Sequence, residues 1–225
     1  MSVIGIVSAT RENYADFWGK TPLGISLGRL ALESRLNACI AYENQRGLSD
    51  VYNEAINADF GHDYLVFVHD DVWIDDVFFC EHLIAGCETF DVIGIAGNKM
   101  RAQGQVSWAF LSDLKWDRRE NLSGRLGFGD HPFGSIDFFG PVPATCELLD
   151  GVFLAAKKTT LRAKNVLFDS RFAFDFYDMD FCRTARSHGL RLGTWRISMT
   201  HASGGAYATQ RWLDSHKSYM NKWGG

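Results

Sequence analysis

The sequence is short of the features that mark membrane, secreted and nucleic-acid-binding proteins. It has no run of about 18 consecutive apolar residues, the length that a membrane-spanning helix needs. Its first residues lack the basic segment and cleavage site of a secretory signal. Its 23 lysines and arginines are outnumbered by 27 acidic residues, whereas a nucleic-acid binder needs a concentrated basic face. Five scattered cysteines without a CxxC pair indicate free thiols. We therefore expect a cytoplasmic protein with no transmembrane segment and no nucleic-acid partner.

Apolar runs and amphipathic segments alternate along the first part of the chain. The short runs predict buried strands, and the segments with apolar residues three or four apart predict helices. In chain order the predicted elements are a strand at 3–7, a helix at 23–36, a strand at 38–42, a helix at 47–58, a strand at 64–68, a helix at 78–88 and a strand at 91–96. This alternation predicts an α/β fold, a Rossmann-like α/β/α domain with a mostly parallel central sheet.

The character of the chain changes in segment 101–145, where glycines, prolines and aromatic residues are interleaved. Such a composition predicts a loop-rich surface that faces substrate, with Trp108 as a candidate acceptor contact. Packing of these aromatic residues against the sheet is the alternative. Regular elements then return, with a strand at 151–156, helices at 160–164 and 180–187, a strand at 191–197 and a helix at 210–223. Because no linker separates the two parts, we expect one domain.

An acidic pair follows the strongest predicted strand. The segment FVHDDV places Asp70 and Asp71 at the end of strand 64–68, and ligands of α/β sheets bind beyond the carboxyl ends of the strands. Adjacent carboxylates repel each other, but they suit Mg²⁺ or Mn²⁺, whose remaining positions phosphate oxygens and water fill. Asp71 is the candidate ligand, and Asp70 is a candidate for orienting ribose or water. A solvated turn is the alternative, and His69 alone is interpreted as an ordinary polar residue.

Two later segments carry further candidate groups. In FYDMDF, Asp178 lies near the predicted start of a helix, where a carboxylate either caps the helix or acts as a general base. Asp180, two residues on, points in another direction on the helix and is not expected to share that role. In THASGG, His201 follows a strand and can reach a metal, while Gly204 and Gly205 allow the close approach of a phosphate.

Taken in order, these segments resemble the GT-A glycosyltransferases of the family 2-like group. The resemblance is carried by VIGIVSAT, ENQRGLSDVYNEAI, YLVFVHDDV, ELLDGVFLAAKK, FYDMDFCRTARSHGLRL and THASGG, and it extends over residues 1–205. It implies a single GT-A domain over 1–225, with a nucleotide-binding part at 1–100 and an acceptor-binding part at 101–225. It also implies a metal-dependent enzyme of the hexosyltransferase type. The donor is a nucleotide-diphosphate sugar, with UDP as the expected nucleotide, and the acceptor is a hydroxyl of a glycan, a lipid-linked glycan or a protein.

The resemblance further implies a role for each candidate residue. The HDD segment takes the place of the DxD motif, which makes Asp71 a ligand of Mn²⁺ or Mg²⁺, while His69 replaces the first acid of that motif. Asp178 becomes the general base of an inverting transfer, and His201 becomes a second metal ligand. Asp150, in the segment LDG, becomes an acceptor contact. The implied nucleotide contacts are Ala9, Thr10, Glu43, Asn44, Gln45, Asp70 and Asp71.

Two other functions stay open on the sequence. A nucleotidyltransferase or phosphohydrolase would use the same carboxylates, although the glycine-rich phosphate loop of many nucleotide-binding enzymes is missing. A non-catalytic carbohydrate-binding protein would use the aromatic residues of segment 101–145. The reaction products separate the two enzyme classes, and a requirement for metal and nucleotide sugar separates both from a lectin.

Overall fold

The computed structural model describes residues 2–204 and 208–224, and its strands form one sheet of seven and one of six. The strands are β1 Ile4–Ala9, β2 Leu36–Ala41, β3 Tyr64–Val68, β4 Val72–Ile74, β5 Val92–Gly94, β6 Ala96–Asn98, β7 Leu122–Phe128, β8 Ser135–Gly140, β9 Ala144–Cys146, β10 Leu148–Leu149, β11 Phe153–Lys157, β12 Leu192–Thr194 and β13 Met199–His201. The helices are α1 Tyr14–Lys20, α2 Pro22–Arg29, α3 Leu48–Asn57, α4 Phe79–Thr89, α5 Lys158–Ala163, α6 Tyr177–Ser187 and α7 Gln210–Trp223, with a 3₁₀ turn at Arg119–Asn121.

The central sheet has the order β2-β1-β3-β11-β5-β12-β9. The predicted α/β architecture is confirmed, and β2, β1, β3, β5 and β12 run in one direction, as a mostly parallel sheet requires. However, β11 lies antiparallel between β3 and β5, and β9 is antiparallel at the edge, so the sheet is mixed. The sequence could not show this, because an apolar run buried on both faces carries no information about strand direction.

Strands β1, β2 and β3 end together at one edge of the central sheet. Ala9 pairs with Ala41, and Val7 pairs with Phe67, in parallel register. The loops that follow these three strands therefore emerge side by side, as the carboxyl ends of parallel strands do. All the candidate nucleotide contacts follow or end one of these strands.

The prediction that segment 101–145 is loop-rich was wrong for a large part of it. β7, β8 and β9 lie there, and β7 is central to the six-stranded sheet, whose path is β10-β6-β7-β13-β4, with β8 also paired to β7. Four of the glycines that suggested loops, Gly124, Gly127, Gly134 and Gly140, serve close packing instead. A Cβ on Gly124 would lie 2.3 Å from the carbonyl oxygen of Ile95, and its φ of +120° is one that other residues rarely adopt.

Several predicted boundaries shift in the structure. α2 ends at Arg29 rather than near residue 36, because the chain must turn before β2 begins at Leu36. The predicted strand at 91–96 is two strands, one in each sheet. The position of Ser49 near the start of the helix predicts that it caps α3, but Gly47 is the cap residue and Ser49 donates a hydrogen bond to the Phe172 carbonyl. Within the described ranges, no helix combines the length and the apolar composition required to cross a bilayer.

The C-terminal helix α7 is held to the domain by a buried ion pair. Lys222 Nζ lies 2.7 Å from Asp180 Oδ1 and 2.8 Å from Asp169 Oδ2. The indole nitrogen of Trp223 also donates to Asp180 Oδ1, at 2.7 Å. Since Asp180 is fully buried, its charge depends on these partners, and the expectation that it does not share the role of Asp178 is consistent with this placement.

We predict that Lys222→Ala destabilises the protein by about 3–5 kcal/mol, because it leaves the Asp180 carboxylate buried without a cation. Urea unfolding followed by circular dichroism measures the change. Lys217→Ala is the matched control, since Lys217 lies exposed on the same helix and should change stability by no more than about 0.5 kcal/mol. Equal midpoints for the two variants would show that the ion pair does not anchor α7.

Candidate active site

Strand pairing brings three metal-ligating side chains together. His69 and Asp71 lie between β3 and β4, and β13 pairs antiparallel with β4 so that His201 is opposite Val72. As a result, His201 Nε2 is 3.2 Å from Asp71 Oδ1, and His69 Nδ1 is 4.0 Å from the same oxygen. One ligand atom from each of the three residues lies within 4.8 Å of the other two. We call His69, Asp71 and His201 the cation cluster.

The cation cluster fits a divalent metal ion. Asp71 Oδ1 is buried and has no assigned hydrogen-bond partner among the described residues, although His201 Nε2 lies 3.2 Å away. The other oxygen, Oδ2, accepts a hydrogen bond of 2.6 Å from Ser203 Oγ. A buried oxygen without a partner beside two imidazole nitrogens is a donor set suited to a transition-metal ion.

His69 was not predicted as a ligand, and the structure places it in the cluster with a defined tautomer. Its Nε2 is 2.8 Å from the hydroxyl of Tyr177, which lies 2.7 Å from the carbonyl oxygen of Gly151. Because a carbonyl only accepts, Tyr177 gives its one proton to Gly151, and His69 Nε2–H donates to Tyr177. The lone pair of Nδ1 is then left on the side of Asp71. A histidine directly before an acidic pair at a strand end was the available signal.

The charges of the cluster follow from burial and from mutual contact. Burial acts to raise the pKa of Asp71, but the contacts with His201, His69 and Ser203 outweigh it and hold that pKa well below its usual range. Burial acts to lower the pKa of His201, but Asp71 outweighs it and raises that pKa. Burial lowers the pKa of His69. The carboxylate is therefore ionised, and His69 is neutral and able to bind a cation.

A cavity of about 130 Å³ adjoins the cation cluster and gathers the acceptor candidates. Trp108, Asp150 and Asp178 come from three distant stretches of the chain, and all line this cavity. His69 lines it too, so one side chain belongs to both the cluster and the cavity. Other members of the wall are Phe174, Tyr177 and Trp212. We call this space the inner cavity.

Asp178 is the second residue of α6 and does not cap that helix. Phe176 occupies the cap position in the left-handed region, with φ of 65°. Asp178 Oδ2 accepts a hydrogen bond of 3.0 Å from Gly151 N, and Oδ1 accepts one of 2.8 Å from Met179 N. Burial raises the pKa of Asp178 to about 7, the charge of Asp150 adds to this effect, and the backbone N–H groups oppose it. A carboxyl group with a pKa near neutrality is suited to act as a general base.

Gly151 touches both functional parts of the site. Its carbonyl accepts from Tyr177 and its N–H donates to Asp178. A Cβ at this position would lie 2.4 Å from the Tyr177 hydroxyl and 2.8 Å from Asp178 Cβ. The segment LDG therefore needs glycine for close packing, since any side chain would displace both neighbours.

The candidate nucleotide contacts lie at the end of β1 and on the loops after β1, β2 and β3. Asn44 N donates to the Thr10 carbonyl at 2.8 Å, which ties the two loops together. Burial raises the pKa of Asp70, while a hydrogen bond from Thr10 opposes the rise, so these two residues are neighbours. The side chain of Asn44 closes a turn with the backbone of Arg46.

The remaining nucleotide candidates are also placed by the structure. Ala9 ends β1, Glu43 and Gln45 are exposed on the loop after β2, and Gln45 accepts a hydrogen bond from Arg11. Of the glycines in THASGG, Gly205 lies outside the described residues. A larger cavity of about 720 Å³ lies beside β2 and α3, and none of the candidate site residues lines it.

We predict that Tyr177→Phe lowers the affinity for Mn²⁺ by about 10- to 100-fold, as the loss of an outer-shell partner of a ligating histidine does. Without the hydroxyl, the proton of His69 is free to move to Nδ1, which blocks the lone pair that faces Asp71. Calorimetry measures the affinity, and ¹⁵N NMR of the imidazole reports the tautomer. Tyr14→Phe is the matched control, because Tyr14 is exposed and lies outside the cavity. An unchanged imidazole spectrum in Tyr177→Phe would refute the assignment.

No protein-family model and no curated protein matches the sequence. Solved structures do match its fold. The catalytic domain of Drosophila β1,4-galactosyltransferase 7 in complex with xylobiose matches with a TM-score of 0.51 and 10% identity, over 96% of this chain and 80% of that chain. A mutant of that enzyme with manganese, UDP-Gal and xylobiose matches with a TM-score of 0.53 and 8% identity, over 95% and 79%.

A third match is GalNAc-T7 with UDP, GalNAc and Mn²⁺, with a TM-score of 0.60 and 11% identity, over 98% of this chain and 48% of that chain. At these identities the likeness is one of fold. The chain has the GT-A fold of glycosyltransferases, as its sequence predicted.

Proposed function

We propose that this chain is a metal-dependent glycosyltransferase of the hexosyltransferase type. It moves a sugar from a nucleotide-diphosphate sugar to an acceptor hydroxyl and inverts the anomeric centre. The observation that carries the proposal is the shared position of His69, which belongs to the cation cluster and also lines the inner cavity with Asp178. A site for the diphosphate leaving group and a candidate base therefore adjoin each other.

The cation cluster supports the choice of metal. Asp71, His201 and His69 would hold the ion, and two imidazole nitrogens favour Mn²⁺ over Mg²⁺, which prefers oxygen ligands. Such an ion, when bound, offsets the negative charge that develops on the diphosphate as it leaves. Mn²⁺ and UDP are present in two of the solved structures that share this fold, which supports UDP as the donor nucleotide.

Asp178 and Asp150 have separate roles in this proposal. Asp178 takes the proton of the acceptor hydroxyl as that oxygen attacks the anomeric carbon directly, and a single direct displacement inverts the centre. Asp150 Oδ1 accepts a hydrogen bond from Val152 N at 3.0 Å. Its other oxygen has no hydrogen-bond partner among the described residues, so it can accept from a sugar hydroxyl. Trp108 offers an indole ring to the same sugar.

The two parts of the chain bind different substrates. The loops of the first part, with Ala9, Thr10, Asn44 and Asp70, bind the nucleotide, together with Glu43 and Gln45. Segment 101–225 binds the glycan, lipid-linked or protein acceptor and contributes His201 to the metal site. A cytoplasmic location is part of the proposal, and the five free cysteines suit a reducing compartment.

The proposal is tested with the purified chain, a panel of nucleotide sugars, Mn²⁺ and EDTA. A ligand that binds the native state raises the unfolding midpoint, so the active donor should do so with Mn²⁺ and not with EDTA. Turnover should release the nucleoside diphosphate together with a glycosylated acceptor. Release of pyrophosphate would instead identify a nucleotidyltransferase, and glycan binding that needs neither Mn²⁺ nor nucleotide sugar would identify a lectin.

We predict that Asp71→Asn abolishes Mn²⁺-dependent transfer and lowers Mn²⁺ affinity by at least about tenfold, because it removes the only anionic ligand of the cation cluster. Electron paramagnetic resonance of free Mn²⁺ measures the affinity without relying on activity. Asp214→Asn, which changes an exposed aspartate of α7, is the matched control and should bind Mn²⁺ normally. Normal affinity in Asp71→Asn would place the metal elsewhere.

We predict that kcat/KM falls as the pH drops through about 7, since protonation of Asp178 below its raised pKa removes the base. Asp178→Asn should lower kcat by about 10²–10⁴-fold and should eliminate this limb of the pH profile. Donor affinity, measured by thermal shift, should be retained. A profile that still falls through pH 7 in Asp178→Asn would assign the limb to another group.

A further inference from the structure

We propose, on the basis of the glycosyltransferase function above, that the acceptor site continues into a second sugar-binding groove around Trp116. The acceptor would then be an oligosaccharide chain rather than a single sugar. The groove has a volume of about 280 Å³, against about 130 Å³ for the inner cavity. Its lining residues are Trp116, Asp117, Arg119, Leu122, Asp137, Phe138 and Phe139. We call it the outer groove.

The outer groove and the inner cavity share one aromatic cluster. The ring of Trp108, which lines the inner cavity, is 6.4 Å from the ring of Trp116 and 5.0 Å from that of Phe139, centroid to centroid. The rings of Trp116 and Phe139 are stacked, 6.0 Å apart with an interplanar angle of 21°. Trp108 is only 7% exposed, so its buried ring joins the two sites, and a glycan chain that left the inner cavity on this side would meet the exposed ring of Trp116.

The outer groove presents aromatic surface to solvent. Trp116 is 55% exposed and Phe138 is 51% exposed, so both rings are open to solvent in the same groove. Phe139 is buried behind them and supports the Trp116 ring. The apolar C–H face of a pyranose ring packs on such a surface, and large rigid aromatic side chains provide this contact with little loss of conformational entropy.

Unpaired polar groups surround these rings. Within the part of the chain that the structure describes, neither the indole N–H of Trp116 nor the carboxylate of Asp137 has a hydrogen-bond or ion-pair partner. Arg119 donates one N–H to the Phe138 carbonyl at 2.6 Å and keeps its other donors free. Asp117, in contrast, is occupied by Asn98 and other neighbours. Exposed rings with free donors and acceptors match the hydroxyl-rich chemistry of a sugar better than that of an apolar peptide.

The test uses oligomers of β1,4-linked xylose, glucose and N-acetylglucosamine, of one to four residues, as acceptors. For the series that the wild type uses, we expect kcat/KM to rise about tenfold with length. In Trp116→Ala the longer oligomers should lose that gain, and in Trp116→Tyr, which keeps an exposed ring, most of it should return. Phe60→Ala is the matched control, since Phe60 is 66% exposed but lies beside β2, away from both sites.

Three outcomes would contradict the proposal that the outer groove binds sugar. Trp116→Ala could lower the rates of monomers and oligomers equally, which indicates a structural effect, or it could leave all rates unchanged. It could also abolish self-association in analytical ultracentrifugation without altering length dependence, which would assign the exposed ring to protein docking. Self-association is the main alternative, because β8 is an exposed edge strand and its Ile136 is 64% exposed.

Direct binding separates this proposal from the proposed function. Titration of the same oligomers into ¹⁵N-labelled protein should shift the indole N–H resonance of Trp116, and the shift should grow with oligomer length. If the wild type transferred no sugar but this shift were present, the glycosyltransferase function would fail and the outer groove would stand. If transfer occurred without any shift at Trp116, the outer groove would fail and the glycosyltransferase function would stand.

Discussion

The backbone of Gly151 connects the two chemical parts of the candidate site, through its N–H on one side and its carbonyl on the other. Its carbonyl takes the single proton of Tyr177, and that bond obliges His69 to donate from Nε2 and to keep Nδ1 free. Its N–H donates to Asp178 and so holds the candidate base against the same turn. One backbone unit therefore sets both the tautomer of a metal ligand and the position of a base.

Strand pairing supplies the rest of the geometry. Parallel strands deliver the nucleotide loops to one edge of the central sheet, and the antiparallel pairing of β13 with β4 carries His201 back to that edge. Neither sheet alone would assemble the cation cluster, because His69 and Asp71 follow a strand of the first sheet and His201 belongs to the second. The junction between the sheets is therefore the place where the candidate chemistry becomes possible.

The pKa values of Asp71 and Asp178 are shifted in opposite directions. Contacts with His201, His69 and Ser203 outweigh the effect of burial and keep the pKa of Asp71 low. The Asp71 carboxylate therefore stays ionised and available to a cation. Burial and the charge of Asp150 raise the pKa of Asp178 to about 7, where a proton can be taken up and released near neutral pH. Environments that separate the pKa values of neighbouring acids commonly assign different roles to them. The separation supports one residue for metal binding and another for proton transfer.

The sequence by itself determined the alternating strands and helices, the strand end at FVHDDV and the candidate roles of Asp71, Asp178 and His201, because these depend on local pattern. Only the tertiary structure decided that β11 runs antiparallel, that segment 101–145 contributes β7 and β8 to a second sheet, and that His69 joins the cation cluster. Strand direction leaves no mark on an apolar run buried on both faces. The role of His69 depends on two successive hydrogen bonds, from His69 to Tyr177 and from Tyr177 to the Gly151 carbonyl, and neither partner is close to it in the chain.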